Sequence, residues 1–154
     1  MDLEELKRGA STMWGLADYR PIARAIFPDA VALVEACGIR PGMAVLDVAA
    51  GTGNLAVAAA RRGARVVACD FSPRMVEWGK ARTAEEDLAV EWHVADAEAL
   101  PFEDGRFDVV GSAFGAMFAP RPDVAAAELF RVAKGGGLVA MANWTPEGYS
   151  GRSA

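Results

Sequence analysis

The sequence has few of the residues that metal sites and disulfide frameworks require. Its 154 residues include one histidine, His93, and two cysteines, Cys37 and Cys69. A zinc site needs more ligands than these, and a disulfide framework needs more cysteines. We therefore expect no metal site, and we expect two buried, reduced thiols in a cytoplasmic protein.

Long apolar runs and surplus positive charge are also missing. No run of about eighteen apolar residues occurs, so no membrane span is expected, and the charged opening residues, MDLEELKRGA, do not resemble a signal peptide. Sixteen Lys and Arg stand against twenty-one Asp and Glu, a net charge of −5. That balance argues against binding to nucleic acid or to an anionic membrane surface.

The chain does have the length and composition of one self-sufficient domain. It is 53% hydrophobic and 24% charged, which excludes a disordered protein. A chain of this length buries roughly 70% of its unfolded surface on folding. A stable core is therefore possible without disulfides or metals.

Short apolar runs alternate with helical segments along the chain. The runs predict strands over Ala44–Val48, Arg65–Asp70, Val90–Val94, Phe107–Ala113 and Leu138–Asn143. Helices are predicted over Ser11–Phe27, Asp29–Cys37, Asn54–Arg62, Arg74–Glu86 and Asp123–Ala133. Pro28 and Asp29 mark the start of the second helix, and the three glycines 135–137 the end of the last. The alternation predicts an α/β fold with a doubly wound parallel sheet.

The turn after the first predicted strand has the features of a nucleoside site. Gly51 and Gly53 let the backbone approach a ligand, and the helix from Asn54 points its free amides at the same place. Asp70 ends the second strand, where its two oxygens could bind a ribose diol. Dinucleotide and nucleoside binders share these features.

Two further carboxylates separate those classes. Asp47 precedes Gly51 by four residues, where a dinucleotide site more often has a neutral residue. Asp96 follows the third strand, where it could accept from an exocyclic amine such as that of adenine, with the Ala97 amide beside it. The stretches that carry the pattern are VLDVAAGTGN, VVACDFSPRMVEWG, DAEALPFEDGRFDVV and ELFRVAKGGGLVAMANW. In their order and spacing they resemble the class I S-adenosylmethionine-dependent methyltransferases, in the branch of the ubiquinone and menaquinone methyltransferases.

The resemblance implies a Rossmann-like sheet of order 3-2-1-4-5 and S-adenosylmethionine as the cofactor. It assigns the methionine end to Asp47, Ala49, Gly51 and Gly53, and the ribose to Asp70. It assigns the adenine to Phe71, Met75, Asp96 and Ala97, and the floor beneath the cofactor to Ser112 and Phe114. Trp14 and Tyr19 match residues of an N-terminal helix that closes over the site.

Alternatives stay open for some of these residues. Asp47 could simply cap the turn, and Trp14 and Tyr19 could form one face of an ordinary amphipathic helix. We interpret His93 as the end of a strand, Asp108 as structural, and Trp78 and Trp92 as packing residues.

The resemblance also predicts how the chain is organised. We expect an N-terminal helical lid over residues 1–40, the cofactor-binding core over 41–145 and a tail over 146–154. In the family, a helix and an antiparallel hairpin follow the fifth strand. Here the pattern stops in TPEG, so we expect a truncated chain without that hairpin. An uncovered fifth strand is prone to pairing, so a homodimer through this edge is expected.

The predicted function is direct methyl transfer to a small-molecule acceptor. A sulfonium is already an activated leaving group, so no general base is assigned. One alternative is a truncated module that binds S-adenosylmethionine without turnover. The other is a nicotinamide-binding Rossmann protein, which the segment around Asp96 disfavours.

Overall fold

A computed structural model describes residues 2–146, so the predicted tail lies outside the described residues except for Pro146. The helices are α1 (Leu3–Leu16), α2 (Arg20–Ala36), α3 (Asn54–Ala60), α4 (Pro73–Glu85) and α5 (Pro122–Val132), with a short 3-10 turn at Ala116–Phe118. The strands are β1 (Ala44–Val48), β2 (Arg65–Asp70), β3 (Val90–Val94), β4 (Phe107–Ala113) and β5 (Ala133–Ala142).

The five strands form one parallel sheet of order β3-β2-β1-β4-β5. The predicted fold class and strand order are therefore confirmed. Successive side chains of β1 point to opposite faces of the sheet. Val45 packs in the core with Val34 of α2 and Leu55 of α3, whereas Leu46 packs on the other face with Leu129 of α5. Burial on both faces explains why β1, β2 and β4 read as largely apolar runs, whereas the edge strand β3 buries only Trp92.

The helices give no candidate for a membrane span. Within residues 2–146, none combines the length and the apolar character that crossing a bilayer would need.

The predicted boundary between the first two helices is wrong. The chain breaks at Ala17, whose backbone is extended, and Asp18 accepts a hydrogen bond from the Arg20 amide (3.1 Å) where α2 begins. Helix α2 then runs through Pro28. Its buried residues, Ala23, Ile26, Ala30 and Val34, form one stripe at helical spacing. Burial of this stripe outweighs the hydrogen bond that a proline removes from a helix.

The predicted start of β5 is also wrong. The strand begins at Ala133, directly after α5, and includes the three glycines that were expected to end the helix. Its register slips opposite Asp108, since Ala133 pairs with Phe107 but Leu138 pairs with Val109. A Cβ on Gly137 would lie 2.9 Å from the Lys134 carbonyl oxygen. The glycines thus allow the extra residues to bulge out of the strand.

The two cysteines are unpaired. Cys69 is buried as expected, but Cys37 is only half-buried. Burial raises the pKa of both thiols, which keeps them protonated and unreactive at neutral pH.

Candidate functional site

A pocket lies at the carboxyl end of the sheet, beneath α1. In a doubly wound sheet, ligands bind at this edge. Most of the site residues assigned from the sequence line it: Trp14, Tyr19, Ala49, Gly51, Asp70, Phe71, Met75, Asp96, Ala97 and Phe114. Their roles toward a cofactor remain predictions.

The other assigned residues, Asp47, Gly53 and Ser112, lie behind the pocket wall. Asp47 is buried, and its Oδ2 accepts from the Ala56 amide (2.9 Å) in the first turn of α3. This is the capping geometry of the alternative interpretation. The pKa of Asp47 is raised to about 7, mainly because burial disfavours the charged carboxylate. The charge of Asp70 also raises this pKa, and the hydrogen bond from Ala56 opposes the rise. Its Oδ1 has no partner among the described residues, which leaves one buried acceptor behind the turn.

Gly53 is held by a residue that sequence reasoning treated only as packing. It has φ +85°, and a Cβ there would lie 2.8 Å from the Trp92 ring. The same ring lies so close to Gly79 of α4 that a Cβ there would be 2.1 Å away. The Trp92 Nε1 donates to Thr83 Oγ1 (3.2 Å), which fixes the ring. Trp92 therefore supports the glycine turn from below, which the spacing of the sequence does not reveal.

The turn between β1 and α3 meets the end of β4 at close range. Ala49 has φ +52° and Phe114 has φ +61°, a region where residues with a side chain are strained. Gly115 packs so tightly against Ala49 that a Cβ on it would lie 2.1 Å from the Ala49 carbonyl oxygen. The Ser112 side-chain oxygen accepts from the Ala116 amide (2.9 Å) and orders the turn that follows. These contacts set the floor of the pocket.

Asp70 connects the turn to the end of β2. Its Oδ2 accepts from the Gly51 amide (2.8 Å) and its Oδ1 from the Ser72 amide (2.9 Å). Burial raises the pKa of Asp70, while the hydrogen bonds from Ser72 and Gly51 lower it. A carboxylate has about four lone-pair positions. Asp70 is therefore oriented by the backbone and still has acceptor capacity toward the pocket.

Asp96 lies beyond the end of β3 and is held on both of its oxygens. Its Oδ1 accepts from the Glu98 amide (2.9 Å), and its Oδ2 accepts from Lys7 Nζ (2.6 Å). Lys7 also contacts Glu98 Oε2 at 2.6 Å. Neither Lys7 nor Glu98 was predicted as a site residue. Lys7 is 89 positions from Asp96 along the chain, and no motif indicates such a contact.

Aromatic side chains form the roof of the pocket. The Trp14 ring centroid lies 5.9 Å from that of Tyr19 and 5.5 Å from that of Phe118. Ser11 Oγ donates to the Phe71 carbonyl (3.1 Å) and connects α1 to the end of β2. The Phe114 ring packs on Trp144 with centroids 4.4 Å apart. The ligand space is thus apolar beneath these rings, and its polar side chains include Lys7, Asn54 and the two aspartates.

The residues interpreted as structural lie outside the pocket. His93 lies within β3 and contacts Glu91 (2.6 Å) on the surface. Asp108 accepts from the Ala44 amide (2.7 Å) and from Lys134 (2.8 Å), which joins β4 to β1 and β5. Trp78 contacts the guanidinium groups of Arg20 and Arg74, which lie 5.5 Å and 5.0 Å from its ring centroid.

The pocket offers few groups for proton transfer. Its titratable lining residues within the described part of the chain are Lys7, Tyr19, Asp70 and Asp96. Lys7 and Asp96 are paired with each other, and Asp70 is bound to two amides. No group of three or more His, Cys, Asp or Glu side chains in residues 2–146 is placed to hold a metal ion. The arrangement suits binding and orientation better than acid–base chemistry.

Known proteins share this sequence pattern and fold. The family described as "Methyltransferase domain" matches residues 46–141. An uncharacterized protein of Mycobacterium tuberculosis is 46% identical over 141 residues, which cover 91% of this chain and 52% of that protein. Demethylmenaquinone methyltransferase of Renibacterium salmoninarum is 43% identical over 113 residues, which cover 73% of this chain and 46% of that enzyme.

A solved methyltransferase structure has a similar fold. A SAM-dependent methyltransferase from Aquifex aeolicus superposes with a TM-score of 0.70 at 26% identity, over 76% of this chain and 64% of that one. The chain spans about half the length of the curated relatives it matches. The family match covers the strands that carry the pocket, and the sheet order is the one that the resemblance implied. The chain therefore belongs to the class I S-adenosylmethionine-dependent methyltransferases.

Proposed function

We propose that this chain binds S-adenosylmethionine and transfers its methyl group to a small-molecule acceptor. The main support is the pair of carboxylates Asp70 and Asp96, which line the same pocket as the Gly51 turn. Asp70 ends β2, and Asp96 lies just beyond the end of the neighbouring parallel strand β3. Two separated acceptors next to a backbone turn suit a ligand with a ribose diol and an amino-substituted base.

The residues present fit that cofactor part by part. Asp70 has free acceptor positions for the ribose hydroxyls, and Met75 and Phe71 supply an apolar surface for the base. Asp96 can accept from the exocyclic amine beside the Ala97 backbone. Gly51 and Ala49 line the pocket, and a Cβ added at Gly51 would meet only the Tyr19 ring, at 3.9 Å, so the turn leaves room for the methionine end.

The chemistry asks little of the protein's own side chains. When bound, S-adenosylmethionine would supply a methyl group made electrophilic by the sulfonium that carries it, and the sulfur would leave as the neutral thioether of S-adenosylhomocysteine. The chain would contribute position and exclusion of water. Trp14, Phe114 and Phe118 would provide the apolar walls for both. An acceptor that must lose a proton would need a base from outside the described lining.

Calorimetric titration is the direct test of this proposal. We expect S-adenosylmethionine and its demethylated product, S-adenosylhomocysteine, to bind with one site per chain, and we expect no heat from NAD. Binding of NAD in place of S-adenosylmethionine would contradict the proposal. A panel of acceptors that includes demethylated quinones then tests transfer, because binding without methyl loss would favour a module without turnover.

We also propose that the protein is a cytoplasmic homodimer joined through β5. The dimer is supported by the position of β5 at the edge of the sheet, where Leu138 and Met141 are partly exposed. The cytoplasmic location is supported by the two unpaired thiols. Sedimentation of the full chain should give a dimer at micromolar concentration. A monomer at every concentration would contradict the pairing.

A further inference from the structure

Lys7 joins α1 to two carboxylates on the far side of the pocket. Its Nζ lies 2.6 Å from Asp96 Oδ2 and 2.6 Å from Glu98 Oε2. The lysine side chain is only 12% exposed. Contacts of this length between charged groups are stronger than neutral hydrogen bonds. One side chain of α1 therefore contacts the residue assigned to the base of the ligand.

Glu98 and Asp96 depend on Lys7 to different degrees. The Glu98 side chain is fully buried and also accepts from the Arg121 amide (2.7 Å) and Arg121 Nε (2.8 Å). Burial raises the pKa of Glu98, but the hydrogen bonds from Lys7 and Arg121 more than offset this and lower it overall. Asp96 has no cationic partner except Lys7 in the part of the chain that the structure describes. Loss of Lys7 would therefore affect Asp96 more than Glu98.

The rest of α1 is loosely attached to the core. The helix has no buried residue. Its other contacts to the core include the Ser11 hydrogen bond and the ring contact between Trp14 and Phe118. Gly15 also lies against α4, where a Cβ on it would be 3.2 Å from the Arg74 Cβ. Lys7, Ala10 and Trp14 of this helix line the pocket. The ion pairs of Lys7 are thus the main polar connection between the roof of the pocket and its wall.

We propose that Lys7 is a positioning residue that couples closure of α1 to recognition of the ligand's base, an inference that rests on the proposed function. Lys7 holds one oxygen of Asp96 and leaves the remaining lone pairs for the exocyclic amine. The same contact keeps α1 over the bound ligand. Opening of the roof must break the contact, so the ligand leaves only when Lys7 releases Asp96.

The test compares lysine variants by surface plasmon resonance with S-adenosylhomocysteine. We expect Lys7→Met to speed dissociation at least fivefold, because a charge-assisted contact is lost. Lys7→Arg keeps the charge and should stay within twofold of the wild type. Lys80→Met is the matched control, because Lys80 is an exposed lysine of α4 outside the pocket, and its rate should not change. Circular dichroism and the thermal midpoint of each free variant check folding.

A second comparison separates this inference from a purely structural role. In a double-mutant cycle by calorimetry, Asp96→Asn should reduce the effect of Lys7→Met on affinity to twofold or less. An undiminished effect, a Lys7→Met rate within fivefold of the wild type, or a Lys7→Arg rate as fast as Lys7→Met would each overturn the inference. Absence of wild-type binding would instead contradict the proposed function itself.

Discussion

Gly115→Ala should lower the free energy of unfolding by about 3 kcal/mol, the upper part of the range for overpacked sites. The added Cβ would lie 2.1 Å from the Ala49 carbonyl oxygen and 2.7 Å from the Ala49 Cβ. That carbonyl cannot move freely, because Ala49 is at φ +52° and the next amide, of Ala50, donates to the Cys69 carbonyl (2.9 Å). Relief would have to shift the turn against the sheet. Chemical denaturation measures the change.

Gly135→Ala is the matched control for this substitution. Gly135 lies in the exposed start of β5, and a Cβ there would have no atom within 4 Å. The change should stay within about 0.5 kcal/mol, as is usual for surface sites. Equal losses from the two variants would mean that the contact between Gly115 and Ala49 does not determine the stability of the pocket floor.

The strands could be predicted from the sequence because a parallel sheet buries them on both faces. The predicted bounds of β1, β2, β3 and β4 agree with the structure. β1, β2 and β4 are largely apolar runs of strand length, as burial on both faces requires. β3 is an edge strand that alternates polar and apolar residues and buries only Trp92. The last strand was harder, because its three glycines resemble a helix stop but form a bulge.

The break between α1 and α2 shows the limit of local signals. Pro28 is a strong local signal for a helix boundary, yet it lies exposed within a helix that the core holds along its other face. The actual break at Ala17 had a weaker signal in Asp18 and Pro21, which lie at the start of α2. Burial of one helix face in the tertiary structure determines that the helix continues through Pro28 and breaks at Ala17. Local sequence signals do not show which face is buried.

The candidate site also contains residues that could be predicted from the sequence and residues that could not. Asp70 and Asp96 could be predicted to lie together, because the carboxyl ends of neighbouring parallel strands meet at one edge. The residues that hold the site in place could not be predicted. Lys7 reaches Asp96 from the first helix, 89 positions earlier in the chain, and Trp92 reaches Gly53 and Gly79 through packing alone. Such contacts depend on how elements stack, which no local spacing records.

Asp70→Ala should weaken S-adenosylmethionine binding about 100-fold, which corresponds to roughly 2.7 kcal/mol. The substitution removes the charged acceptor for the ribose hydroxyls and also leaves the amides of Gly51 and Ser72 without their partner. Asp70→Asn keeps one oxygen for those amides but loses the charge, so its affinity should fall between Asp70→Ala and the wild type. Calorimetry measures each dissociation constant.

The control for this series is Asp123→Ala, because Asp123 is exposed in the first turn of α5 and outside the pocket. It should bind like the wild type. Thermal unfolding of the ligand-free variants separates loss of affinity from loss of fold, since Asp70 is buried. If folded Asp70→Ala bound S-adenosylmethionine normally, the ribose could not lie against β2. The adenine would then not be placed next to Asp96, and the ligand would have to lie in the opposite orientation along the sheet edge.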